Sequence, residues 1–268
     1  MSTRGFFSNI ARSFGLIYSF DKARYYYFKN KNKENNKRFL EENPSIALPP
    51  DYLMYESFQI DYKKYYDDSL DSAKDLIEVF GKYHKLDNIS VLDWGCGPAR
   101  IIRHLPSILG ENCKFYGTDY NKDSINWCQD NLKGIEFNLN SLEAELPYAD
   151  NSFDIIYGIS IFTHLSEKYH YDWYNELIRV LKPGGIMYQS SHGDNFLVKL
   201  TEAEKQKYNR GELVVRGQVK EGHRTFTAFH PNEFMEKLFE NVEILEHIVH
   251  PMPNDGSWVP QDAWVIRK

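Results

Sequence analysis

From Asn88 onward, the sequence alternates short apolar segments with longer segments whose apolar residues recur at helical spacing. Strands that alternate with helices pair in parallel across helical crossovers, so this order predicts an α/β fold with a doubly wound, mostly parallel sheet. The predicted strands cover residues 90–93, 114–119, 135–139, 153–160 and 186–190, and the predicted helices cover 99–109, 123–132 and 171–181.

The end of the chain departs from this alternation. After a predicted helix at residues 231–239, two apolar segments at 242–250 and 263–267 follow each other with no helix between them. Two such segments predict an antiparallel closing hairpin. Residues 194–230 interrupt the pattern, and we interpret them as an insertion with one polar helix and a short hairpin around 212–229.

The first 87 residues have a different character. Residues 1–50 are basic and aromatic and end in a proline-rich linker, because proline disfavours helix in the residue before it. Residues 51–87 are rich in Tyr, Asp and Lys and show helical spacing over 71–80. The sequence therefore predicts an N-terminal helical extension, a helical lid segment over 51–87 and a main domain over 88–268.

The charge distribution limits the classes of partner. Residues 1–40 carry nine Lys/Arg and two acids, whereas the rest of the chain carries 23 basic and 36 acidic residues. A body with this acidic excess is a poor nucleic-acid binder, because neutralising phosphates requires clustered cations. We therefore expect no nucleic-acid partner.

The basic head allows two interpretations. Its apolar residues fall on one helical face, and a basic amphipathic segment can lie on an anionic membrane. Alternatively, these residues pack on the protein's own domain or on a second subunit, and the sequence leaves the oligomeric state open. The stripe consists of Phe6, Phe7, Ile10, Phe14, Ile17 and Tyr18.

The expected location is cytoplasmic, and the membrane interpretation would place the protein on the inner face of the membrane. No apolar run approaches the roughly 20 residues of a membrane-spanning helix. The three cysteines form no disulfide framework and no paired metal-ligand spacing.

A glycine loop follows the first predicted strand of the main domain. In residues 93–100, two glycines one residue apart allow a tight turn and close approach of a ligand. Asp119 ends the second strand, where an acid can accept both hydroxyls of a ribose. The loop lacks the Lys-Ser/Thr ending of a P-loop, and Arg100 replaces the last glycine of a dinucleotide-binding loop. The alternative is an ordinary strand-to-helix turn.

Four segments in this order resemble the class I S-adenosylmethionine-dependent methyltransferases: Asp93-Trp-Gly-Cys-Gly, Asp119, the run from Leu146 to Tyr157, and Leu181-Lys-Pro-Gly-Gly. The resemblance covers residues 90–268. It implies a seven-stranded sheet with an antiparallel last strand, methyltransferase activity and S-adenosylmethionine as cofactor. Ala99 stands where many members have a third glycine.

The resemblance also implies roles for single residues. Asp93, Gly95 and Gly97 would border the methionine part of the cofactor, while Asp119 would hold the ribose. The remaining implied contacts are Tyr120 at the adenine, Asn140, Ser141 and Leu142 beside the adenine ring, and Ile159 and Ser160 at the sulfonium end. The alternative for Asn140 and Ser141 is a plain turn. In the family that the sequence resembles, the position of Cys96 is commonly a small residue that packs under the loop.

Two histidines are candidates for acid–base chemistry. Methyl transfer is an in-line displacement that mostly needs alignment, but a hydroxyl acceptor also needs a base. His164 is the best-placed candidate because the family places the transferring methyl group beside the turn at 159–165, and His192, after the fifth strand, is the second. The alternatives are that His164 buttresses the following helix and that His192 is a loop residue.

The other histidines and the acids suggest less. His223 and His230 lie in the insertion, where substrate recognition is one interpretation, and we expect structural roles for His247 and His250 on the terminal strand. No His/Asp/Glu cluster has the spacing of a divalent-metal site. We therefore expect no metal in the reaction.

The acceptor stays open among several classes. The segment from Tyr157 to Ser160 lacks the Asp/Asn/Ser-Pro-Pro-aromatic motif of nucleobase and amide nitrogen methylation. Its Phe-Thr-His-Leu turn and the closing strand at 261–268 resemble methyltransferases of bacterial surface-polysaccharide synthesis, so our first choice is a hydroxyl of a sugar or glycan intermediate. The alternatives are a small-metabolite or natural-product N- or O-methyltransferase and, against the intact cofactor motif, a non-catalytic methyltransferase-like subunit.

Overall fold

The computed structural model describes residues 16–268, in which four helices precede a region of strands and helices. The strands are β1 (Ser90–Trp94), β2 (Lys114–Asp119), β3 (Glu136–Leu139), β4 (Phe153–Gly158), β5 (Leu181–Ser191), β6 (Val214–Arg216), β7 (Thr227–Phe229), β8 (Glu243–Ile248) and β9 (Asp262–Arg267). The α-helices are α1 (Ile17–Lys31), α2 (Lys33–Glu42), α3 (Asp51–Ser57), α4 (Tyr62–Tyr83), α5 (Leu105–Leu109), α6 (Lys122–Asn131), α7 (Glu167–Val180), α8 (Glu202–Tyr208) and α9 (Asn232–Leu238).

Seven strands form one sheet in the order β3-β2-β1-β4-β5-β9-β8. Parallel pairs join β1 to β2, β2 to β3 and β4 to β5, whereas β9 runs antiparallel to both β5 and β8. Helices α1 and α2 precede the sheet in sequence. The prediction of an α/β fold with a seven-stranded, mostly parallel sheet, an antiparallel last strand and an N-terminal helical extension is therefore confirmed.

The chain divides into two compact units, Tyr18–Ser141 and Leu142–Lys268. The first contains β1–β3, and the second contains β4, β5, β8 and β9 together with the β6–β7 hairpin. The boundaries predicted after residues 50 and 87 stay predictions. None of the helices in residues 16–268 is both long enough and apolar enough to cross a bilayer.

Helix α4 in the first unit covers more residues than the segment 71–80 in which the sequence shows helical spacing. It begins at Tyr62 because the carboxylate of Asp61 accepts a hydrogen bond from the backbone N–H of Lys64 at 3.1 Å, which satisfies a donor that the helix leaves open. Its apolar face buries Tyr65, Ala73, Leu76 and Phe80.

The predicted helix at residues 99–109 is wrong over its first half. Ala99 has a left-handed backbone with φ of 58°. A 3₁₀ helix covers Ile102–His104, and α5 begins only at Leu105, with Pro106 in its first turn. Proline is favoured at the start of a helix and excluded from its interior, so it marks a beginning here.

The fourth strand is also shorter than predicted. Strand β4 ends at Gly158, and Ser160, which was predicted to end it, has a left-handed backbone with φ of 66°. A left-handed serine turns the chain away from the strand direction. The 3₁₀ helix Phe162–His164 follows directly.

In the second unit, the predicted insertion contains helix α8 and the β6–β7 hairpin, as expected. Helix α8 begins with a capping box, in which Thr201 and Glu204 satisfy each other's backbone N–H groups. Glu204 also pairs with Arg216 of β6 at 2.8 Å, and both side chains are mostly buried. This ion pair ties the helix to the hairpin.

Candidate functional site

The loop after β1 forms a tight backbone turn in the first unit. The N–H groups of Gly95 and Cys96 both donate to the carbonyl of Thr118, at 2.8 and 3.0 Å. Gly95, Gly97 and Ala99 all have positive φ, of 75°, 52° and 58°. For alanine this conformation costs about 1–2 kcal/mol. Ala99 therefore adopts the backbone that a third glycine would adopt without strain.

Strand β2 packs closely beneath this loop. A Cβ at Gly117 would lie 2.7 Å from Cδ1 of Phe137 and 3.0 Å from Sγ of Cys96, so only glycine fits at this position. The Cys96 thiol is buried, and burial raises its pKa well above the ordinary value. A thiol held in its protonated form is a packing group rather than a nucleophile, which agrees with the sequence interpretation of Cys96.

Asp119 stands at the end of β2 and is 8% exposed. Its Oδ2 accepts the N–H of Gly97 at 2.8 Å, and its Oδ1 accepts the N–H of Asn121 at 2.7 Å. Burial raises the pKa of this carboxyl, and the backbone N–H bonds oppose that shift. The backbone N–H groups of Gly97, Asn121 and Tyr120 all bond to this carboxyl, and its assignment to the ribose stays a prediction.

The other predicted cofactor residues of this unit lie along the ends of β1, β2 and β3. Asp93 is buried in β1, and Tyr120, next to Asp119, is 40% exposed. Asn140 is held in place because its N–H donates to the carbonyl of Asp119 at 3.1 Å and its Oδ1 accepts from Thr118 at 2.7 Å. Ser141 is exposed.

The second unit contains the remaining predicted cofactor residues. The carbonyl of Leu142 accepts a hydrogen bond from Nε1 of Trp173 at 3.1 Å. Ile159 and Ser160 follow β4 in the turn described above. Their assignment to the cofactor stays a prediction.

A ring of hydrogen bonds fixes the strained backbone of Ser160. Its N–H donates to Oγ of Ser190 at 2.7 Å, and its Oγ accepts from Nε2 of Gln261 at 2.8 Å. Ser190 donates to Oε1 of Gln261 at 2.6 Å, and Thr163 Oγ1 lies 2.8 Å from the Ser160 hydroxyl. Sequence reasoning missed Ser190, Thr163 and Gln261. In the sequence, these three residues were marked only by being polar and lying near the end of β4, the end of β5 or the start of β9.

His164 and His192 are oriented in the same way. Nδ1 of His164 lies 2.8 Å from the carbonyl oxygen of Phe226, and Nδ1 of His192 lies 2.9 Å from that of Ala228. A carbonyl only accepts, so each Nδ1 carries the proton. Within residues 16–268, neither Nε2 has a hydrogen-bond partner. Each neutral ring therefore presents a lone pair at Nε2.

Both rings are held neutral by their surroundings. Burial lowers the pKa of His164. Burial, and the repulsion that a protonated His164 would exert, lower the pKa of His192 to about 3. The His192 ring stacks on Phe196, with centroids 4.0 Å apart. These two histidines therefore offer bases that are deprotonated at neutral pH, and their catalytic role stays a prediction.

A chain of buried histidines lies behind His192. The N–H of His192 donates to Nδ1 of His230 at 3.2 Å, and Nε2 of His230 lies 3.0 Å from Nε2 of His170. Nδ1 of His170 in turn lies 2.8 Å from the carbonyl oxygen of Ser166. Because both ends of this chain are backbone groups, the protons sit on Nε2 of His230 and Nδ1 of His170. His230 is thus a structural link, and sequence reasoning missed His170.

We expect the protein to lose stability as pH falls below about 6.5. Burial lowers the pKa of His170 to about 4 and that of His230 well below its ordinary value. In the unfolded chain these rings bind protons near pH 6.5, so below that pH the unfolded state takes up more protons. Each such histidine removes up to about 1.4 kcal/mol of unfolding free energy per pH unit, until its folded pKa is reached.

Urea unfolding at pH 7.5, 6.0 and 5.0, followed by circular dichroism, measures this slope. The His170→Phe variant keeps an aromatic ring against Phe162, on which the His170 ring stacks at 4.8 Å, and should show a shallower slope. The matched control is His250→Phe, at an exposed histidine. An unfolding free energy that stays constant between pH 7.5 and 5.0 would contradict the assignment.

Two further histidines of the second unit, His247 and His223, have side-chain partners. Nε2 of His247 lies 3.0 Å from Oδ2 of Asp262, and its ring stacks on Trp264 at 3.9 Å. Nδ1 of His223 accepts the N–H of Thr225 at 3.2 Å. Across the described part of the chain, no three His, Cys, Asp or Glu side chains are grouped so that they could hold a metal ion.

The sheet order, the glycine loop and the acid that ends β2 together define a class I S-adenosylmethionine-dependent methyltransferase. The family described as "Methyltransferase domain" matches residues 85–249. The chain belongs to this family. The turn at Gly97, where a Cβ would lie 3.3 Å from Cβ of Ser57, and the carboxyl of Asp119 at the end of β2 fit the cofactor's approach and its ribose.

Several curated methyltransferases are similar to part of the chain. The sterol 24-C-methyltransferase of Schizosaccharomyces pombe is 29% identical over 44% of this chain and 32% of its own length. The demethylmenaquinone methyltransferase of Desulfitobacterium hafniense is 31% identical over 37% of this chain and 40% of its own length. O-methyltransferase 3 of Dictyostelium discoideum is 24% identical over 63% and 39%. The matched segments thus span two fifths of these relatives or less.

Solved structures share the fold. An S-adenosylmethionine-dependent methyltransferase from Methanosarcina mazei matches with a TM-score of 0.54, 20% identity, and coverage of 71% of this chain and 96% of its own. A sarcosine dimethylglycine methyltransferase from Galdieria sulphuraria matches with a TM-score of 0.54, 15% identity, and coverage of 74% and 85%. At these identities the likeness shows the fold alone.

Proposed function

We propose that this methyltransferase transfers its methyl group to a hydroxyl, with His164 as the general base. The observation that carries the proposal is the hydrogen bond from Nδ1 of His164 to the carbonyl of Phe226, which leaves a lone pair on Nε2. A base must hold such a lone pair toward the proton that it removes. The Dictyostelium relative is named an O-methyltransferase, which supports oxygen as the acceptor atom.

In the proposed reaction, S-adenosylmethionine supplies a methyl group activated by a sulfonium. His164 takes the hydroxyl proton on Nε2 while the acceptor oxygen bonds to the methyl carbon. The positive charge lost by the sulfonium reappears on the imidazole, so the total charge is unchanged. The Phe226 carbonyl stabilises the resulting imidazolium through the Nδ1–H bond, in the way that a carboxylate does in other enzymes.

For the acceptor we propose a sugar or glycan intermediate, which rests on the resemblance of the Phe-Thr-His-Leu turn and the closing strand alone. Two of the relatives are named for a sterol and for demethylmenaquinone as their substrates. A small metabolite or natural product is therefore the second candidate. The two candidates differ in whether the acceptor hydroxyl is free or attached to a nucleotide or lipid carrier.

The test is a transfer assay with methyl-labelled S-adenosylmethionine. Free sugars, nucleotide-linked sugars, lipid-linked glycans, phenols and amines serve as acceptors, and NMR of the product identifies the methylated atom. The proposal expects an O-methyl product. Methylation only at nitrogen or carbon would overturn the hydroxyl assignment, and O-methylation of phenols alone would overturn the sugar assignment.

We also propose that helix α1 contacts anionic lipid. Phe20 and Tyr27 are 61% and 60% exposed, although large aromatic side chains usually find cover. Four basic residues flank the aromatic block of this helix, and one of them, Lys29, also pairs with Asp51 at 2.9 Å: Lys22, Arg24, Lys29 and Lys31. Aromatic and cationic side chains together suit a membrane surface. Phe6, Phe7, Ile10 and Phe14 of the predicted stripe lie outside the described residues.

Flotation with phosphatidylserine-containing liposomes tests this contact. We expect the full chain to float at low salt and to dissociate at high salt, because each basic residue near the surface contributes about 1 kcal/mol. A Phe20→Ser and Tyr27→Ser double variant should bind less. The control is Val198→Ser, which removes a 60% exposed side chain elsewhere. If the full chain does not float, these aromatics instead pack on a second subunit or on other parts of the chain.

A further inference from the structure

The β6–β7 hairpin holds His164 and His192 side by side. The two carbonyls that accept their Nδ1–H groups belong to Phe226, which directly precedes β7, and to Ala228 within β7. They are two residues apart in the chain. In an extended strand, carbonyls two residues apart point to the same side and lie about 6.7 Å apart. The two rings therefore stand next to each other at about that spacing, on the side of β7 that does not pair with β6.

This pair presents two hydrogen-bond acceptors and no donor. Both Nδ1–H groups are used by the carbonyls, and each Nε2 carries a lone pair without a partner in the described residues. Both side chains are half-buried. The pair is suited to a ligand that brings two donors.

The spacing selects the kind of donor. The oxygens of a vicinal diol lie about 2.8 Å apart, and a hydrogen bond from each to an imidazole nitrogen adds about 2.8 Å at either end. Slightly bent, this arrangement spans about 7 Å, which matches the strand repeat between the two carbonyls. One isolated hydroxyl reaches only one of the two nitrogens.

We propose that the acceptor is a vicinal diol, in which His164 contacts the hydroxyl that is methylated and His192 accepts a hydrogen bond from its neighbour. This rests on the proposed function and narrows its acceptor. The product is the monomethyl ether: the reacting oxygen bonds to the methyl carbon, the carbon–sulfur pair leaves with sulfur, and the proton moves to Nε2 of His164. The neighbouring hydroxyl keeps its proton and its bond to His192.

His192 is built to recognise rather than to react. Its ring is clamped on Phe196, and its backbone is held at both ends by His230, whose N–H donates to the His192 carbonyl at 2.9 Å. A ring fixed before binding loses little freedom when the ligand arrives.

Binding can be measured without turnover. The chain, labelled with ¹⁵N-histidine and saturated with S-adenosylhomocysteine, is titrated with catechol, resorcinol, phenol and methyl α-rhamnopyranoside. We expect the vicinal diols catechol and methyl α-rhamnopyranoside to move the Nε2 resonances of both His164 and His192. Resorcinol and phenol should move at most one. One additional hydrogen bond should make catechol bind about three- to tenfold more tightly than phenol.

Two variants complete the test. His192→Phe keeps the stack on Phe196 but removes the acceptor, so it should abolish the preference for catechol and leave phenol binding unchanged. His192→Asn serves if the phenylalanine variant fails to fold, as judged by thermal melting. Equal binding of catechol and phenol, movement of one resonance only, or failure of both diols to bind at millimolar concentration overturns the proposal.

The outcome is separable from that of the proposed function. If isolated hydroxyls are methylated as fast as diols, and His164→Ala still abolishes transfer, the diol proposal fails and O-methylation stands. If the methyl group goes to nitrogen or carbon while both resonances move with the diols, the proposed function fails and the diol site stands.

Discussion

Replacing His164 with alanine is expected to lower turnover by about 10²–10⁴-fold, the usual contribution of a positioned general base. The variant removes the imidazole whose Nδ1–H donates to the Phe226 carbonyl and whose Nε2 therefore carries the lone pair. Cofactor affinity should stay near that of the unmodified chain, because the glycine loop and Asp119 are unchanged. Single-turnover transfer from labelled S-adenosylmethionine measures the rate, and calorimetry with S-adenosylhomocysteine measures the affinity.

The control for this prediction is His250→Ala, which removes an exposed histidine. The Gln variant of His164 adds a second comparison, because its amide fills part of the same space without supplying a base. If the alanine variant turns over at a near-native rate, His164 has the buttressing role, and His192 becomes the next candidate for the base.

The Asp119→Ala variant is expected to bind S-adenosylmethionine about ten- to a hundredfold more weakly. Two ribose hydroxyls would lose a charged acceptor, and such hydrogen bonds contribute about 1.5–3 kcal/mol. The same carboxylate also accepts the N–H groups of Gly97 and Asn121, so the loop loses part of its support. Calorimetry on folded protein gives the affinity, and thermal melting reports the structural part.

Asp119→Asn separates the two contributions. Asparagine keeps one oxygen for a backbone N–H but replaces the other with a donor, so affinity should fall while melting changes less than in the alanine variant. Full affinity in a folded alanine variant would refute the assignment of Asp119 to the ribose.

Periodicity along the chain was sufficient to predict a mostly parallel sheet with a closing hairpin, while the family resemblance implied its seven strands. Short strands such as β2 and β4 carry several apolar residues between turn signals, and this local pattern survives in the folded chain. Local pattern failed where backbone strain decides the conformation. Ala99 and Ser160 both have positive φ, which residue type alone does not predict. The helix after β1 and the end of β4 were therefore misplaced.

The sequence offered candidate site residues, whose roles stay predictions, but it did not indicate the contacts that orient them. Sequence reasoning singled out His164 and His192 from their places after β4 and β5. It could not find their shared partner, because the carbonyls lie 62 and 36 residues away and belong to the backbone, which carries no sequence signal. Gln261 was missed for a related reason, since it contacts Ser160 across 101 residues.

The hydrogen bonds that orient the two imidazoles have a consequence for solubility. A strand with free carbonyl and N–H groups along one side invites pairing with a strand of another molecule. Along β7 that side is occupied: His164 and His192 cover two carbonyls, and the N–H of His230 is taken by the His192 carbonyl. Because the imidazoles occupy these carbonyls, another strand cannot pair with them. A chain that loses both of them would expose carbonyl groups that can pair with a strand of another molecule.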